Sequence, residues 1–167
     1  AGAKRIFDVL DQVSSVPEPT TPATLPQPVQ GAITLQDVGF RYGSRQVIRQ
    51  LNLHIRPGEM IGLVGHSGSG KSTLVNLINR FYDVTEGSIQ LDGIDVRRLA
   101  VADYRRNIGL VLQEPFLFFG TVAENIAYGK PDATRQEIIA AARAAHAHDF
   151  ILRLPHGYDS LVGERGQ

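Results

Sequence analysis

A glycine-rich stretch carries the most specific chemistry in this sequence. Residues 65–72, GHSGSGKS, fit the pattern G-x-x-x-x-G-K-[ST], a phosphate-binding loop that joins a strand to a helix. Glycines let the backbone bend so that several N–H groups converge on a phosphate. The start of the following helix adds free N–H donors and partial positive charge. The pattern therefore predicts that this chain binds a nucleoside triphosphate.

The residues of this loop have distinct predicted roles. Lys71 is expected to reach the β- and γ-phosphates, and the hydroxyl of Ser72 is expected to ligate Mg²⁺. The other residues predicted to bind the nucleotide here, mainly through the backbone, are Gly65, His66, Ser67, Gly68, Ser69, Gly70 and Thr73.

Two elements must position the loop. The apolar run at 60–64 predicts a buried strand before it, and residues 70–80 predict a helix after it. Within that helix, the spacing of Leu74, Leu77 and Ile78 points these side chains toward a core.

Bulk composition excludes several classes of protein. The 167 residues suffice for one domain of ordinary size, and the 17 basic residues balance the 17 acidic ones. This balance argues against a general nucleic-acid-binding surface. The absence of cysteine excludes a disulfide framework and a thiolate metal site. No run approaches 18 apolar residues, so the sequence predicts no membrane-spanning helix.

The beginning of the chain differs in composition from the rest. Residues 3–13 have the spacing of a one-sided amphipathic helix. Residues 16–30 contain five of the nine prolines, which predicts a semi-extended linker. An ordered proline-rich strap lying on the domain is the alternative.

The remaining pattern places strands mainly before helices. Residues 33–42, 50–55, 88–91 and 94–96 are predicted strands, with turns at Gly43-Ser44 and Asp92-Gly93. A run at 108–112 predicts a strand that is buried on both faces, as in a parallel sheet. The predicted helices are 100–106, 122–128, 135–145 and 147–154, and Thr134 with Glu137 forms a predicted capping box.

Three further segments narrow the family. Tyr42 lies 23 residues before Gly65, GLVLQEPFLFFGTVAENIAYG occupies 109–129, and GYDSLVGERG occupies 157–166. Together with the loop, these segments resemble the nucleotide-binding domain of an exporter-type ATP-binding cassette (ABC) transporter. The resemblance implies an α/β P-loop NTPase fold with an N-terminal antiparallel β part, a core of parallel strands and a helical subdomain. It also implies that the domain is incomplete at its C-terminus.

The resemblance divides the chain into four parts. Residues 1–15 would be the end of a transmembrane-domain helix and 16–31 a linker. Residues 32–113 would form the ATP-binding core, and 114–167 a truncated helical subdomain. The domain would lie on the cytoplasmic face of a membrane, pair with a second nucleotide-binding domain, and contact transmembrane domains through Gln113 and the 114–128 region.

The resemblance also assigns residue roles. Tyr42 matches the aromatic residue that stacks on adenine. Gln113 matches the glutamine that contacts Mg²⁺ and senses the γ-phosphate, and is counted with Lys71 as catalytic. His66 is expected to act through its backbone N–H and not as an acid or base.

Some parts of the family pattern are missing from these residues. The sequence contains no LSGGQ-like signature, and no apolar run ending in Asp-Glu follows Gln113. The expectation is that the parent protein is an ATPase driving export, while this chain alone binds Mg-ATP but hydrolyses it poorly. The alternative is a nucleotide-binding or regulatory module without hydrolysis. A GTPase is disfavoured because it would need an Asn-Lys-x-Asp stretch to read guanine, and none occurs. A kinase is disfavoured because it would need a lid rich in arginine, and the helical segment 134–154 has few arginines.

Overall fold

An antiparallel sheet of four strands organises the first part of the chain. The computed structural model describes residues 14–114 and 116–163, and the chain divides into two compact units, residues 1–109 and 110–167. In the first unit the strands are β1 (Ile33–Tyr42), β2 (Arg45–Ile55), β3 (Glu86–Leu91) and β4 (Ile94–Asp95). Their order is β2-β1-β3-β4, and every neighbouring pair is antiparallel.

The two hairpins of this sheet agree with the sequence pattern. β1 and β2 meet at the Gly43-Ser44 turn, and β3 and β4 meet at Asp92-Gly93. β2 begins at Arg45, five residues before its predicted start at 50, because the backbone of residues 45–48 continues the ladder with β1. The predicted antiparallel part of the fold is confirmed.

The helix that follows the glycine-rich loop packs on the sheet's core. This helix, α1 (Lys71–Ile78), buries Leu74 and Leu77, and a shorter helix, α2 (Val101–Arg105), buries Tyr104. A single 3₁₀ turn, Val96–Arg98, connects β4 toward α2. The buried core of this unit consists of Leu25, Leu35, Val38, Phe40, Ile48, Leu74, Leu77, Ile89, Leu91, Val96, Leu99 and Tyr104.

The predicted strands at 60–64 and 108–112 are wrong for this structure. Neither segment is a strand, and the side chains of Val64 and Val111 are each 96% exposed. A strand needs a neighbour to pair its N–H and C=O groups, and no other segment of the described residues forms a ladder with either run. The described residues therefore contain no parallel core sheet; their parallel pairing is one isolated bridge between Ala23 and Leu99.

The proline-rich segment lies on the first unit. Val16 and Leu25 are buried, and the backbone N–H of Ala23 donates to the carbonyl oxygen of Arg98 at 2.8 Å. Glu18 accepts hydrogen bonds from the backbone N–H of Val101. These contacts match the alternative of an ordered strap. The predicted helix at 3–13 falls outside the described residues.

The regular structure of the second unit is mainly helical. It contains α3 (Val122–Ile126), α4 (Arg135–Ala144) and α5 (His148–Ile151), with 3₁₀ turns at Ala127–Gly129 and Gly157–Asp159. The predicted capping box of Thr134 and Glu137 is confirmed, and Thr121 with Glu124 forms a second one. The strand pair β5 (Gly120–Thr121) and β6 (Leu161–Val162) was not predicted. Among the described residues, no helix combines the length and the apolar character needed to cross a membrane.

Candidate phosphate-binding site

The glycine-rich loop leads directly into α1. Gly70 is the N-cap of this helix and has a φ of +94°, and Gly68 has a φ of +81°. Residues with a Cβ rarely adopt this left-handed region. Glycine at these two positions therefore lets the chain turn sharply before the helix begins.

The ammonium group of Lys71 lies over the loop. Its Nζ donates to the carbonyl oxygens of Gly65 at 2.6 Å and His66 at 2.8 Å, and to Oγ of Ser69 at 3.2 Å. These contacts fold the side chain back toward the loop and place a positive charge beside it. A compact, positively charged donor in this position suits a phosphate group.

The N-terminal end of α1 keeps its donors available. No side chain hydrogen-bonds to this end of the helix, and its first turn contains no acidic residue. The first N–H groups of a helix have no partner within the helix, and they carry partial positive charge. Such an end attracts an anion. This is independent support for the prediction made from the loop sequence.

The loop, α1 and the first hairpin line one cavity with a volume of about 520 Å³. Its lining contains two cationic side chains, Lys71 and Arg45, and no carboxylate among the described residues. The cavity is thus electrostatically suited to a polyanion. The lining residues are Tyr42, Arg45, Val47, Ser67, Gly68, Gly70, Lys71, Ser72 and Thr73.

Tyr42 is held at the rim of this cavity by other aromatic rings. Its ring packs edge-to-face on Phe40 with centroids 4.7 Å apart, and on Tyr82 with centroids 5.3 Å apart. Tyr42 remains 39% exposed. A partly exposed ring with a fixed orientation offers a flat surface for stacking. The structure thus brings Tyr42 and the loop together at one cavity, although they are far apart in sequence.

Two residues that contribute to this arrangement were not among the predicted site residues. Arg45 lines the cavity and Tyr82 supports Tyr42, but neither belongs to a motif. Arg45 could have been identified from the register of the first hairpin, which pairs it directly with Tyr42 across the turn. No local signal in the sequence identified Tyr82.

Two predicted metal-binding residues lie in different units. Ser72 is exposed and lines the cavity, so its hydroxyl is available to a cation carried by phosphates. Gln113 is exposed in the second unit, and its contact with Mg²⁺ stays a prediction. No cluster of three or more His, Asp or Glu side chains suited to a metal occurs in the described part of the chain.

The opposite end of α1 is fixed by a buried arginine. The Arg80 side chain is 1% exposed, and its guanidinium donates to Oδ1 of Asp83, the carbonyl of Leu99 and the carbonyl of Pro17, at 2.8 to 3.0 Å. Tyr104 donates its hydroxyl to the carbonyl of Ile78. These bonds connect α1 to three other segments, including the strap, and hold the helix that presents the loop.

Comparisons with known proteins find related sequences over most of the chain. A family model described as ABC transporter matches residues 48–163. The ATP-dependent lipid A-core flippase of Syntrophus aciditrophicus (strain SB) is 48% identical over 166 residues, which cover 99% of this chain and 28% of the flippase. Multidrug resistance protein homolog 65 of Drosophila melanogaster is 49% identical over 168 residues, covering 98% of this chain and 13% of that protein.

A solved structure is similar to almost the whole of this chain. A structure described as a bacterial Atm1-family ABC exporter with ATP bound matches with a TM-score of 0.86 and 39% identity, covering 98% of this chain and 29% of the exporter chain. The fold prediction of a P-loop ABC ATPase part is thereby confirmed. The chain spans less than a third of the length of each of these proteins.

Proposed function

Because the chain belongs to the ABC transporter family, we propose that it is the ATP-binding part of an exporter's motor domain. The complete protein would couple ATP binding and hydrolysis to transport across a membrane. The observation that carries this proposal is the single cavity formed by the lysine-covered loop, the uncapped start of α1 and the exposed ring of Tyr42. It offers one surface for a base and another for a chain of phosphates.

The proposed binding mode follows the chemistry of the cavity. Adenine stacks on Tyr42, which would contribute roughly 1–3 kcal/mol without strong selection among bases. The phosphates lie against the loop, where the N–H groups at the start of α1 and the ammonium of Lys71 stabilise their charge. To contact the β- and γ-phosphates, Nζ of Lys71 exchanges loop carbonyl oxygens for phosphate oxygens.

Mg²⁺ fits the hydroxyl that the cavity offers. Ser72 would hold the ion together with phosphate oxygens, and Gln113 is proposed as a further ligand on the basis of the family pattern. When bound, Mg²⁺ neutralises part of the charge on the β- and γ-phosphates. Ser72 then contributes by fixing the position of the phosphate tail relative to Lys71.

We propose that this chain alone hydrolyses ATP slowly. Attack by water needs a group that orients the nucleophile, in addition to groups that hold the phosphates. The described lining of the cavity supplies cations, hydroxyls and backbone groups, but it includes no carboxylate to act as a base. The same observation favours the second candidate function, a module that binds nucleotide without turnover.

The proposed partners are a second nucleotide-binding domain and the transmembrane domains, with this chain on the cytoplasmic face of the membrane. The 114–128 region is the proposed contact with the transmembrane domains. It exposes Phe116, Phe119 and Tyr128, and Tyr128 stacks on Phe118 with ring centroids 4.3 Å apart. A cluster of exposed aromatic rings suits the core of a protein–protein interface.

Calorimetric titration with Mg-ATP tests the binding function. We expect Lys71→Ala to weaken binding by about 10- to 100-fold, because it removes hydrogen bonds from a charged donor. Lys130→Ala is the matched control: Lys130 is an exposed lysine in the second unit that pairs with Glu137, outside the cavity. Equal affinities for the wild type and Lys71→Ala would contradict the proposal.

Phosphate release separates the two candidate functions. The motor proposal expects slow turnover by this chain and faster turnover by the complete transporter, each abolished by Lys71→Ala. A complete transporter that binds Mg-ATP without releasing phosphate would favour the non-hydrolysing module. Rapid turnover by the chain alone would contradict the proposal that it binds ATP but hydrolyses it slowly.

A further inference from the structure

The lining of the cavity includes a second cationic side chain, which has no role in the binding mode described above. Lys71 and Arg45 are the two positively charged side chains of the lining. Nζ of Lys71 already has three acceptors in the loop, and an ammonium has three donor hydrogens. Arg45, in contrast, uses its backbone to pair with Tyr42, and its guanidinium forms no hydrogen bond or ion pair with any residue that the structure describes. Its guanidinium therefore has five N–H donors to offer to a ligand.

The hairpin places Arg45 at the nucleoside end of the cavity. Arg45 and Tyr42 are direct partners across the Gly43-Ser44 turn, and directly paired residues have side chains on the same face of a sheet. Arg41 is the neighbouring arginine on β1. It donates to Oε1 of Gln46 at 3.2 Å and does not line the cavity.

The strand β2 then leads from Arg45 to the loop. Two residues after Arg45, Val47 lines the same cavity, and a Cβ added to Gly70 would lie 3.6 Å from Cγ1 of Val47. A ligand that stacks on Tyr42 and reaches Lys71 thus passes beside Arg45. The part of a nucleotide between the sugar and the β-phosphate is the α-phosphate.

We propose that Arg45 binds the α-phosphate of the nucleotide through charge-assisted hydrogen bonds. This inference rests on the proposed function of the cavity and adds a contact to it. A planar guanidinium matches two phosphate oxygens at once, which an ammonium does not. Arg45 would fix the α-phosphate while Lys71 holds the distal phosphates, so that recognition depends on the whole chain of phosphates.

Titration of variants with Mg-ATP and Mg-ADP tests this contact. We expect Arg45→Ala to lower the affinity for both nucleotides by the same factor, about tenfold, because both carry the α-phosphate. Arg45→Lys should recover part of the lost affinity, since lysine restores the positive charge but not the planar group that matches two phosphate oxygens. Arg41→Ala removes an arginine that belongs to the same hairpin but lies outside the cavity. The nucleotide affinity of this variant should stay within about twofold of that of the wild type.

A double-mutant cycle distinguishes the α-phosphate from the base. If Arg45 acts on phosphate, the losses from Arg45→Ala and Tyr42→Ala should multiply to within about twofold. A coupling larger than about fivefold would show that Arg45 acts on adenine together with Tyr42, and would overturn the proposal. Wild-type affinity in Arg45→Ala would also overturn it. Failure of the wild type to bind either nucleotide would instead overturn the proposed function itself.

Discussion

The two ends of α1 differ sharply in how their polar groups are used. At the N-terminal end, Gly70 supplies no side-chain cap, and the preceding loop residues 61–69 are exposed. At the C-terminal end, Tyr104 donates to the carbonyl of Ile78 and Arg105 donates to those of Asn79 and Arg80. Buried polar groups are normally paired. The paired end therefore stabilises the fold, and the unpaired end remains for a ligand.

A short helix can present a binding loop when its other end is anchored. An eight-residue helix is marginal by itself in water. Its position must come from tertiary contacts, and these are concentrated at Leu74, Leu77 and the C-terminal end. A substitution at the C-terminal end of α1 should therefore lower the free energy of unfolding, and a substitution at its N-terminal end should change nucleotide binding alone.

Loss of Arg80 is expected to have the largest effect on stability. Arg80→Ala removes a buried guanidinium and leaves Asp83 and the carbonyls of Leu99 and Pro17 without their donor. Breaking such a buried charged network costs about 3–5 kcal/mol. Denaturant unfolding measures this as a decrease in the free energy of unfolding.

An exposed ion pair provides the control for Arg80. Arg106 pairs with Asp103, but both side chains are at least half exposed, so Arg106→Ala should cost no more than about 1 kcal/mol. Similar losses in the two variants would show that the C-terminal end of α1 does not anchor the helix.

Tyr104 should have a smaller effect that depends on pH. Tyr104→Phe removes the donor to Ile78 and is expected to cost about 1 kcal/mol at neutral pH. Burial raises the pKa of Tyr104 from 10.0 to about 12, although the charge of Arg80 lowers it somewhat. The folded state thus favours the neutral phenol, and this stabilisation is complete below pH 10 and is lost as the pH rises toward 12.

Unfolding measured between pH 9 and 12 checks this expectation. The free energy of unfolding of the wild type should fall more steeply with pH than that of Tyr104→Phe. Tyr128→Phe, at an exposed position of the second unit, should follow the wild type. Parallel pH curves for the wild type and Tyr104→Phe would mean that the buried hydroxyl makes no contribution that depends on its protonation.

Ser72 lies at the other end of the helix and should barely affect stability. Ser72 is exposed, so Ser72→Ala should change the free energy of unfolding by less than about 0.5 kcal/mol. We expect it to weaken ATP binding in the presence of Mg²⁺, with little change when the metal is chelated, because its hydroxyl is the proposed metal ligand. Ser44→Ala, in the hairpin turn, is the control. Equal losses with and without Mg²⁺ would argue against metal ligation by Ser72.

The features that sequence predicted correctly depend on neighbours in sequence. The turn at Gly70 that leads into α1, the two hairpins and the capping box of Thr134 and Glu137 each fit within a few residues, so their residue types determine them. The position of Tyr42 beside the loop followed from resemblance to a family, because no local rule connects residues so far apart.

The features that sequence did not predict depend on distant partners. The apolar runs at 60–64 and 108–112 have strand composition, but strand formation also requires a partner, which the described residues do not provide. Arg80 is charged and yet buried, because acceptors from three separate segments surround it. The strap over 16–30 is likewise held by distant partners, Arg80, Arg98 and Val101, which composition does not show.

Phosphate binding by the glycine-rich loop is tested most directly by following backbone amide signals by NMR during titration with Mg-ATP. We expect the signals of residues 67–73 to shift strongly and to saturate at or below millimolar nucleotide, while those of residues 78–80, whose carbonyls are already paired, move little. Unchanged signals of residues 67–73 at millimolar Mg-ATP would contradict the claim that this loop binds the phosphates.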